Sequence, residues 1–320
     1  MVKRFLSLLL CVALLTLVLG TTVAMAEKKD LRFVIVPKCV HPWFDEVNKG
    51  AQKQADLLSE QLGVKVTIDY RAPATADVTE QNSVLQQAAA THPDGITLDP
   101  LDYDGNKAVI SEIQALGIPV VLFDSPSPEG SGLTSVGNDF AEQARIAAAK
   151  LVELLGGKGK VAVMQGVPTA PNHKERYEAH LAYLAQFPDI EVVDGGIDND
   201  SIETAQSQAA AIIAANPDLK GYLCCDAAGP IGIANAIKEA GKQDEIIAVG
   251  MDNLIEILEA VQDGSLKGSS STLPQIQGAY AVLMMWQASL GMELPAMVDT
   301  GIGVYTPENV GQAIAEMKGE

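Results

Sequence analysis

From Leu31 onward the chain alternates short apolar runs, rich in β-branched residues, with longer stretches of helical period. This alternation narrows the possible folds more than any other feature. Apolar runs that lack polar alternation must be buried on both faces, and a parallel sheet covered by helices provides that burial. The predicted strands cover 31–37, 65–69, 95–99, 119–123, 160–164, 190–194, 221–225 and 246–251. The predicted helices cover 43–62, 77–91, 103–116, 139–155, 173–186, 203–215, 229–240 and 253–262. Eight strands are too many for one small sheet, so an α/β chain with two sheets follows. Gly63, Gly117, Gly156 and Gly241 stand where left-handed helix ends favour glycine, and Asn172, Ser201 and Asn253 stand where N-caps are expected. Pro93-Asp94-Gly95-Ile96 and Pro217-Asp218-Leu219-Lys220-Gly221 each close a helix and open a strand, a coarse repeat that implies two similar halves. Turn composition from Ser125 to Gly132 places the linker between the halves around Pro126 to Val136. Beyond residue 264 come a Ser-rich segment, a helix at 275–289 and a strand near 299–305, so the chain is expected to cross between halves more than once.

The first residues predict export. Lys3 and Arg4 precede an apolar run from Phe5 to Leu19 and a small-x-small site at Ala24-Met25-Ala26, the pattern of a signal peptide cleaved after Ala26. The run is shorter than the ~20 residues that span hydrocarbon. Cys11 lies inside it without the small preceding residue that a lipid-modified cysteine requires. Cleavage removes two of the 22 basic side chains and none of the 41 acidic ones, taking the net charge from −19 to −21. Nucleic acid and anionic membranes are therefore poor partners. Three cysteines remain, Cys39, Cys224 and Cys225, an odd number that gives no disulfide framework, and buried thiols are the expectation.

Enzyme signatures are missing. Gly156-Gly157-Lys158-Gly159-Lys160 has the wrong glycine spacing for a phosphate loop, and Val161 stands where Ser or Thr would be needed, so a helix end running into a strand explains it better. No strand leads into G-x-G-x-x-G, and no G-x-S-x-G elbow is present. His41, His92, His173 and His180 lack metal-ligand spacing, so no metal and no cofactor are expected. Three carboxylates in one cleft could do acid–base chemistry, which keeps an extracytoplasmic hydrolase as an alternative, but nothing orients a nucleophile.

In parallel α/β sheets ligands meet the carboxyl ends of the strands. There the chain places Lys38, His41, Trp43 and Phe44 after the first strand, Asp124 after the fourth, Asn172, His173 and Arg176 after the fifth, and Asp226 and Asp252 after the seventh and eighth. Aromatics that stack on C–H faces, combined with carboxylates, amides and guanidinium groups that bond hydroxyls, suit a sugar or polyol. Each residue also has a plainer reading: core packing for Phe44 and Trp43, helix capping for the aspartates, a surface ion pair with Glu175 or Glu178 for Arg176.

Val36-Pro37-Lys38 with His41-Pro42-Trp43-Phe44, Gly117-Ile118-Pro119-Val120-Val121 ending in Asp124, Val136-Gly137-Asn138-Asp139, Lys158-Gly159-Lys160-Val161-Ala162-Val163 with Gly166, Glu175-Arg176, Gly229-Pro230 and Val249-Gly250-Met251-Asp252 resemble, in order and spacing, the type I periplasmic binding proteins of the ribose, galactose and autoinducer-2 group. The resemblance spans essentially the whole chain after the signal. It implies two Rossmann-like lobes, 27–137 plus 274–301 and 138–273 plus 302–320, joined by three hinge crossovers near 137, 273 and 302. It further implies a monomer in the periplasm that delivers its solute to an ABC permease, and in some members to a chemoreceptor. The ligand set it implies is Lys38, His41, Trp43, Phe44, Asp124, Asn138, Asn172, Arg176, Asp226, Asp252 and Thr272. Two departures argue against ribose: Ser125 replaces the arginine that follows the first-lobe aspartate, and Thr272 replaces the late glutamine. The second-lobe aromatic gives way near Asp200. The Lys38 and Asp124-Ser125 positions look more like receptors for autoinducer-2 and rhamnose, whereas Asn172-His173 and Cys225 depart from the autoinducer-2 pattern. The expected solute is a small sugar, deoxysugar or polyol, with a furanosyl signal as the alternative.

Overall fold

A computed structural model describes residues 29–318. The proposed signal peptide and the last two residues lie outside the described residues. In chain order the elements are β1 (Leu31–Val36), α1 (Pro42–Leu62), β2 (Val66–Tyr70), α2 (Val78–Ala89), β3 (Gly95–Leu98), α3 (Tyr103–Ala115), β4 (Val120–Phe123), β5 (Thr134–Gly137), α4 (Phe140–Leu155), β6 (Lys158–Gln165), α5 (Pro171–Leu184), β7 (Asp189–Ile197), α6 (Ile202–Ala215), β8 (Leu219–Leu223), α7 (Gly229–Glu239), β9 (Ile247–Ala248), β10 (Gly250–Met251), α8 (Ile255–Gln262), β11 (Ser269–Ser271), α9 (Pro274–Ser289), β12 (Met297–Asp299), β13 (Gly303–Tyr305) and α10 (Val310–Lys318).

The strands form a six-stranded sheet of order β12-β5-β4-β3-β1-β2 and a four-stranded sheet of order β7-β6-β8-β9, both parallel throughout. Side-chain alternation along each strand divides the core as the sequence predicts. Phe33, Ile35, Val121 and Phe123 face α1 and α9, while Val34, Val36, Ile96, Leu98, Val120 and Leu122 face α2 and α3. In the second sheet Ala162, Met164 and Tyr222 pack towards α6 and α7, and Val161, Val163 and Leu223 towards α4 and α5. The chain passes from the first sheet to α4 after Gly137, returns through α9 after Ser271, and leaves again after Asp299.

Local chemistry sets the element ends. His41 caps α1 through Nδ1, which accepts from Trp43 N at 3.2 Å, and Asp77, Asp102, Asp139 and Ser201 cap α2, α3, α4 and α6. Gly63, Gly117, Gly156 and Gly241 all adopt positive φ just past their helices, and Gly156-Gly157 runs directly into β6, as the helix-end reading requires. Asn172 and Asn253 are not caps. Asn172 lies inside the first turn of α5, behind an uncapped Ala170 and Pro171, and Leu254 precedes α8 without a side-chain cap.

Three further expectations need correction, and a fourth segment gains an element the sequence pattern did not assign. Residues 126–133 are a loop between neighbouring strands, because Thr134–Gly137 is itself a strand of the first sheet; the passage between sheets comes only after it. The run at 246–251 divides at Val249 between β9 in the second sheet and β10 in a separate three-stranded sheet of order β10-β11-β13. The stretch near 299–305 is likewise two strands in different sheets. The Ser-rich segment contains strand β11, parallel to β10 and antiparallel to β13. Cys39, Cys224 and Cys225 are free and buried. Among the described residues no helix is long and apolar enough to cross a membrane.

Candidate functional site

Strand order reverses between β1 and β3 in the first sheet and between β6 and β8 in the second, and the carboxyl ends of these strands are where a doubly wound fold leaves a crevice. Lys38 follows β1 and Asp99 follows β3, and their charged groups lie 3.4 Å apart. Gly166 follows β6 and Asp226 follows β8. Gly166 has no room for a side chain: a Cβ there would lie 2.3 Å from His173 Nδ1 and 2.9 Å from Asp226 Oδ2. The two reversal points face each other, since Lys38 Nζ sits 2.8 Å from His173 Nε2 and 3.8 Å from Asp200 Oδ2.

A second group of contacts surrounds Arg176. This side chain is 1% exposed, so the surface reading fails. Its Nη2 lies 3.5 Å from Asp124 Oδ1, Nε donates to Gln143 Oε1 at 3.1 Å and Nη1 to the Cys225 carbonyl at 3.2 Å, with the guanidinium stacked over Phe140. Asn172 Nδ2 donates to Asp124 Oδ2 at 2.7 Å, again linking the two sheets. Gln277 Nε2 donates to Asp124 Oδ1 at 3.3 Å, and Thr272 Oγ1 donates to Asp252 Oδ1 at 2.8 Å. Asn138 Nδ2 reaches Gln143 Oε1 at 3.2 Å. Trp43 and Phe44 are buried edge to face, and Phe44 meets Phe123 in the same way, so both aromatics belong to the core as well as to this end of β1.

The electrostatics follow from burying many charges together. Burial works against the Lys38 ammonium, yet Asp200, Asp99 and Asp124 outweigh it and hold its pKa above the usual lysine value. Burial raises Asp99 and Asp198 well above the carboxylate range. It pushes Asp124 up to about 6 despite Arg176, and Asp226 up to about 7 with help from the Asp200 charge. Asp200 goes the other way: burial opposes its ionisation, but Lys38 outweighs burial and holds it at about 2. Burial lowers His41, and lowers His173 further, so both imidazoles are neutral at pH 7.

Many buried polar atoms in this region have no hydrogen-bond partner within the protein. They include His41 Nε2, Trp43 Nε1, both oxygens of Asp99, Ser125 Oγ, Asn138 Oδ1, Arg176 Nη2, Asp198 Oδ2, Asp200 Oδ2, Asp226 Oδ2 and Gln277 Oε1. Leaving such groups unpaired costs about 1–3 kcal/mol each, and they are concentrated at the strand ends. A cavity of about 640 Å³ opens beside them, lined by His41, Ala74, Asn199, Asp200 and Ile202 among others. Asp124 and Asp252, the residues directly after β4 and β10, both have positive φ, 45° and 69°. Strained backbone of this kind concentrates at functional sites.

Among the described residues, metal ligation has one geometric candidate: His173, Asp200 and Asp226 bring ligand atoms within 4.8 Å of one another. The imidazole suits it poorly, because Nδ1 accepts from Val167 N at 2.8 Å and Nε2 faces the Lys38 ammonium. Sequence reading passed over Asp99, Asp198, Gln143 and Gln277 and left His173 outside the ligand set. Asp99 carried the same signal as Asp124, an aspartate directly after an apolar strand.

A family profile described as a periplasmic binding protein domain matches residues 32–293. The chain belongs to that family. Among curated relatives, a D-apiose import binding protein of Actinobacillus succinogenes is 25% identical over 273 residues, covering 85% of this chain and 84% of the relative. A ribose import binding protein of Bacillus subtilis is 25% identical and covers 75% of each chain. A solute-binding protein of an ABC transporter from Burkholderia graminis, solved with D-arabinose, superposes with a TM-score of 0.82 at 27% identity over 89% of this chain and 98% of that one. One from Agrobacterium vitis with bound D-fucose gives 0.83 at 26% identity over the same shares. The fold is the type I periplasmic binding protein fold, with parallel sheets flanked by helices.

Proposed function

We propose that this protein captures a small sugar, deoxysugar or polyol in the cleft between the two parallel sheets and hands it to an ABC importer. The observation that carries the reading is the set of unpaired, buried donors and acceptors at the strand ends of both sheets, because a polyhydroxylated molecule satisfies such a set atom by atom. Lys38, His41, Trp43, Phe44, Asp124, Asn138, Asn172, Arg176, Asp226, Asp252 and Thr272 serve as ligand or ligand-positioning groups, joined by Asp99, Asp200 and Gln277. The two sheets belong to lobes 27–137 plus 274–301 and 138–273 plus 302–320, which close on the solute. Capture takes place in the periplasm after cleavage behind Ala26, by a monomer that binds and performs no catalysis.

A thermal-shift screen of pentoses, hexoses, deoxysugars and polyols tests this reading. A ligand that binds only the folded state at 100 times its Kd adds about 2.7 kcal/mol of stability, a rise in Tm of roughly 5 °C or more. A wide panel with no shift overturns the proposal.

A further inference from the structure

The cleft holds more acidic than basic side chains. Six aspartates, Asp99, Asp124, Asp198, Asp200, Asp226 and Asp252, are buried there, against two cations, Lys38 and Arg176. Both cations are already committed. Arg176 faces Asp124 at 3.5 Å, and Lys38 faces Asp99 at 3.4 Å and Asp200 at 3.8 Å. His41 and His173 are neutral and add nothing. The surplus collects on one side. The Asp198, Asp200 and Asp226 carboxyl groups abut one another, with Asp226 hydrogen-bonded to both of the others; Asp198 Oδ1 accepts from Asp200 N at 3.0 Å, and no N–H or hydroxyl of the protein hydrogen-bonds Asp198 Oδ2, Asp200 Oδ2 or Asp226 Oδ2.

Hydrogen-bond polarity leads to the same place. The open acceptors are Asp99 Oδ1, Asn138 Oδ1, Gln277 Oε1 and the carboxyl oxygens of the aspartate cluster; the open N–H donors are Trp43 Nε1 and His41 Nε2, which carries the proton because Nδ1 accepts from Trp43 N, while Arg176 Nη2 is held by Asp124. A neutral sugar hydroxyl gives one proton and accepts others, so a plain sugar matches a balanced set. An alkylammonium gives three protons and accepts none, which matches an acceptor-rich set, and its positive charge favours the ionised form of the Asp198 and Asp226 carboxyls that burial otherwise pushes towards protonation. His41, itself buried with Nε2 unpaired, lines the same cavity as Asp200, so the carboxylate group faces the ligand space.

We infer that the solute is an amino sugar or amino polyol whose ammonium sits among Asp198, Asp200 and Asp226, while its hydroxyls meet the aromatic and Arg176 side. This assignment rests on the cleft being a sugar or polyol site. The aspartate cluster supplies the selectivity: a hydroxyl in the amine's place gives those carboxyls one hydrogen bond where the ammonium gives three and a compensating charge, a difference that a binding site converts into discrimination of one to several orders of magnitude.

The test is calorimetric titration of the purified protein at pH 7.5 with D-glucosamine, D-galactosamine, D-mannosamine and 1-amino-1-deoxyhexitols. Each is run beside the parent compound that has a hydroxyl in place of the amine and beside its N-acetyl form. At least one free amine is expected to bind ten times or more tighter than both counterparts, with the ratio collapsing in Asp200→Asn, or in Asp226→Asn should the first variant not fold. Neutral sugars or polyols binding with no amine reaching that ratio overturns the inference and leaves the sugar-receptor reading standing. Absence of binding by either class overturns both. Stabilisation by zinc or manganese alone, with no amine preference, also overturns the inference and assigns the cluster to a metal.

Discussion

Trp43 shows how one residue serves two purposes. Its ring packs edge to face on Phe44 at 5.2 Å and is 4% exposed, yet its indole nitrogen has no partner in the protein. Truncating it would cost core stability, so a milder change isolates the ligand contact. Trp43→Phe keeps an aromatic ring and removes the N–H, and is expected to weaken solute binding roughly tenfold, about 1.4 kcal/mol, with the denaturation midpoint little changed; titration calorimetry and urea melts read the two effects separately. Asp124 and Asp252 likewise combine strain with chemistry: a positive φ at a non-glycine residue is tolerated by aspartate better than by most residues. At this scale the sequence placed Lys38, Asp124, Arg176, Asp226 and Asp252 next to a strand end or in the helix that follows, and the structure buries all five there. Asp198 and Gln277 carried weaker signals, since β7 runs past its predicted end and Gln277 lies in the first turn of α9.

At the scale of elements, two helix pairs depend on glycine for close approach. A Cβ on Gly50 of α1 would lie 1.9 Å from the Gln275 carbonyl oxygen, and one on Gly278 of α9 would lie 2.0 Å from that of Val47. The α6–α7 pair uses the same device, with a Gly232 Cβ only 2.5 Å from Ala205 Cβ. Gly278→Ala is therefore expected to force α1 and α9 apart and destabilise the protein by about 1–3 kcal/mol, seen as a lower midpoint in urea. Helix α9 packs on the first sheet but follows β11, so this contact ties a late segment back to the first helix among the described residues. Strand β11 explains why the predicted element map stopped short. Ser269, Ser270 and Ser271 are all buried without an apolar side chain, stabilised by ladder bonds to β10 and β13 and by Ser269 Oγ donating to the Asp252 carbonyl at 2.6 Å and Ser270 Oγ to the Gln143 carbonyl at 2.9 Å. Hydrophobic period is silent about a strand held this way.

For the molecule as a whole, the buried carboxylates link stability to pH. A carboxyl whose folded pKa exceeds its unfolded value makes the native state bind more protons than the unfolded chain, so stability falls as pH rises between the two values. With unfolded aspartate near ~3.9 and folded values of about 6 for Asp124 and about 7 for Asp226, the unliganded protein is expected to lose stability from about pH 4 to about pH 7. Urea midpoints across that range measure the slope, and Asp226→Asn should flatten its upper end. The sequence alone determined the α/β class, the doubling into two sheets, most helix ends and the residues after the strands, because these follow from period-2 and period-3.6 burial and from local capping chemistry. Tertiary structure decided which strand ends face each other: that Lys38 meets His173, that Arg176 meets Asp124, and that Asp198, Asp200 and Asp226 share one buried space. Those pairings join segments far apart in the chain, and charge placed by long-range packing leaves no local pattern from which it can be read.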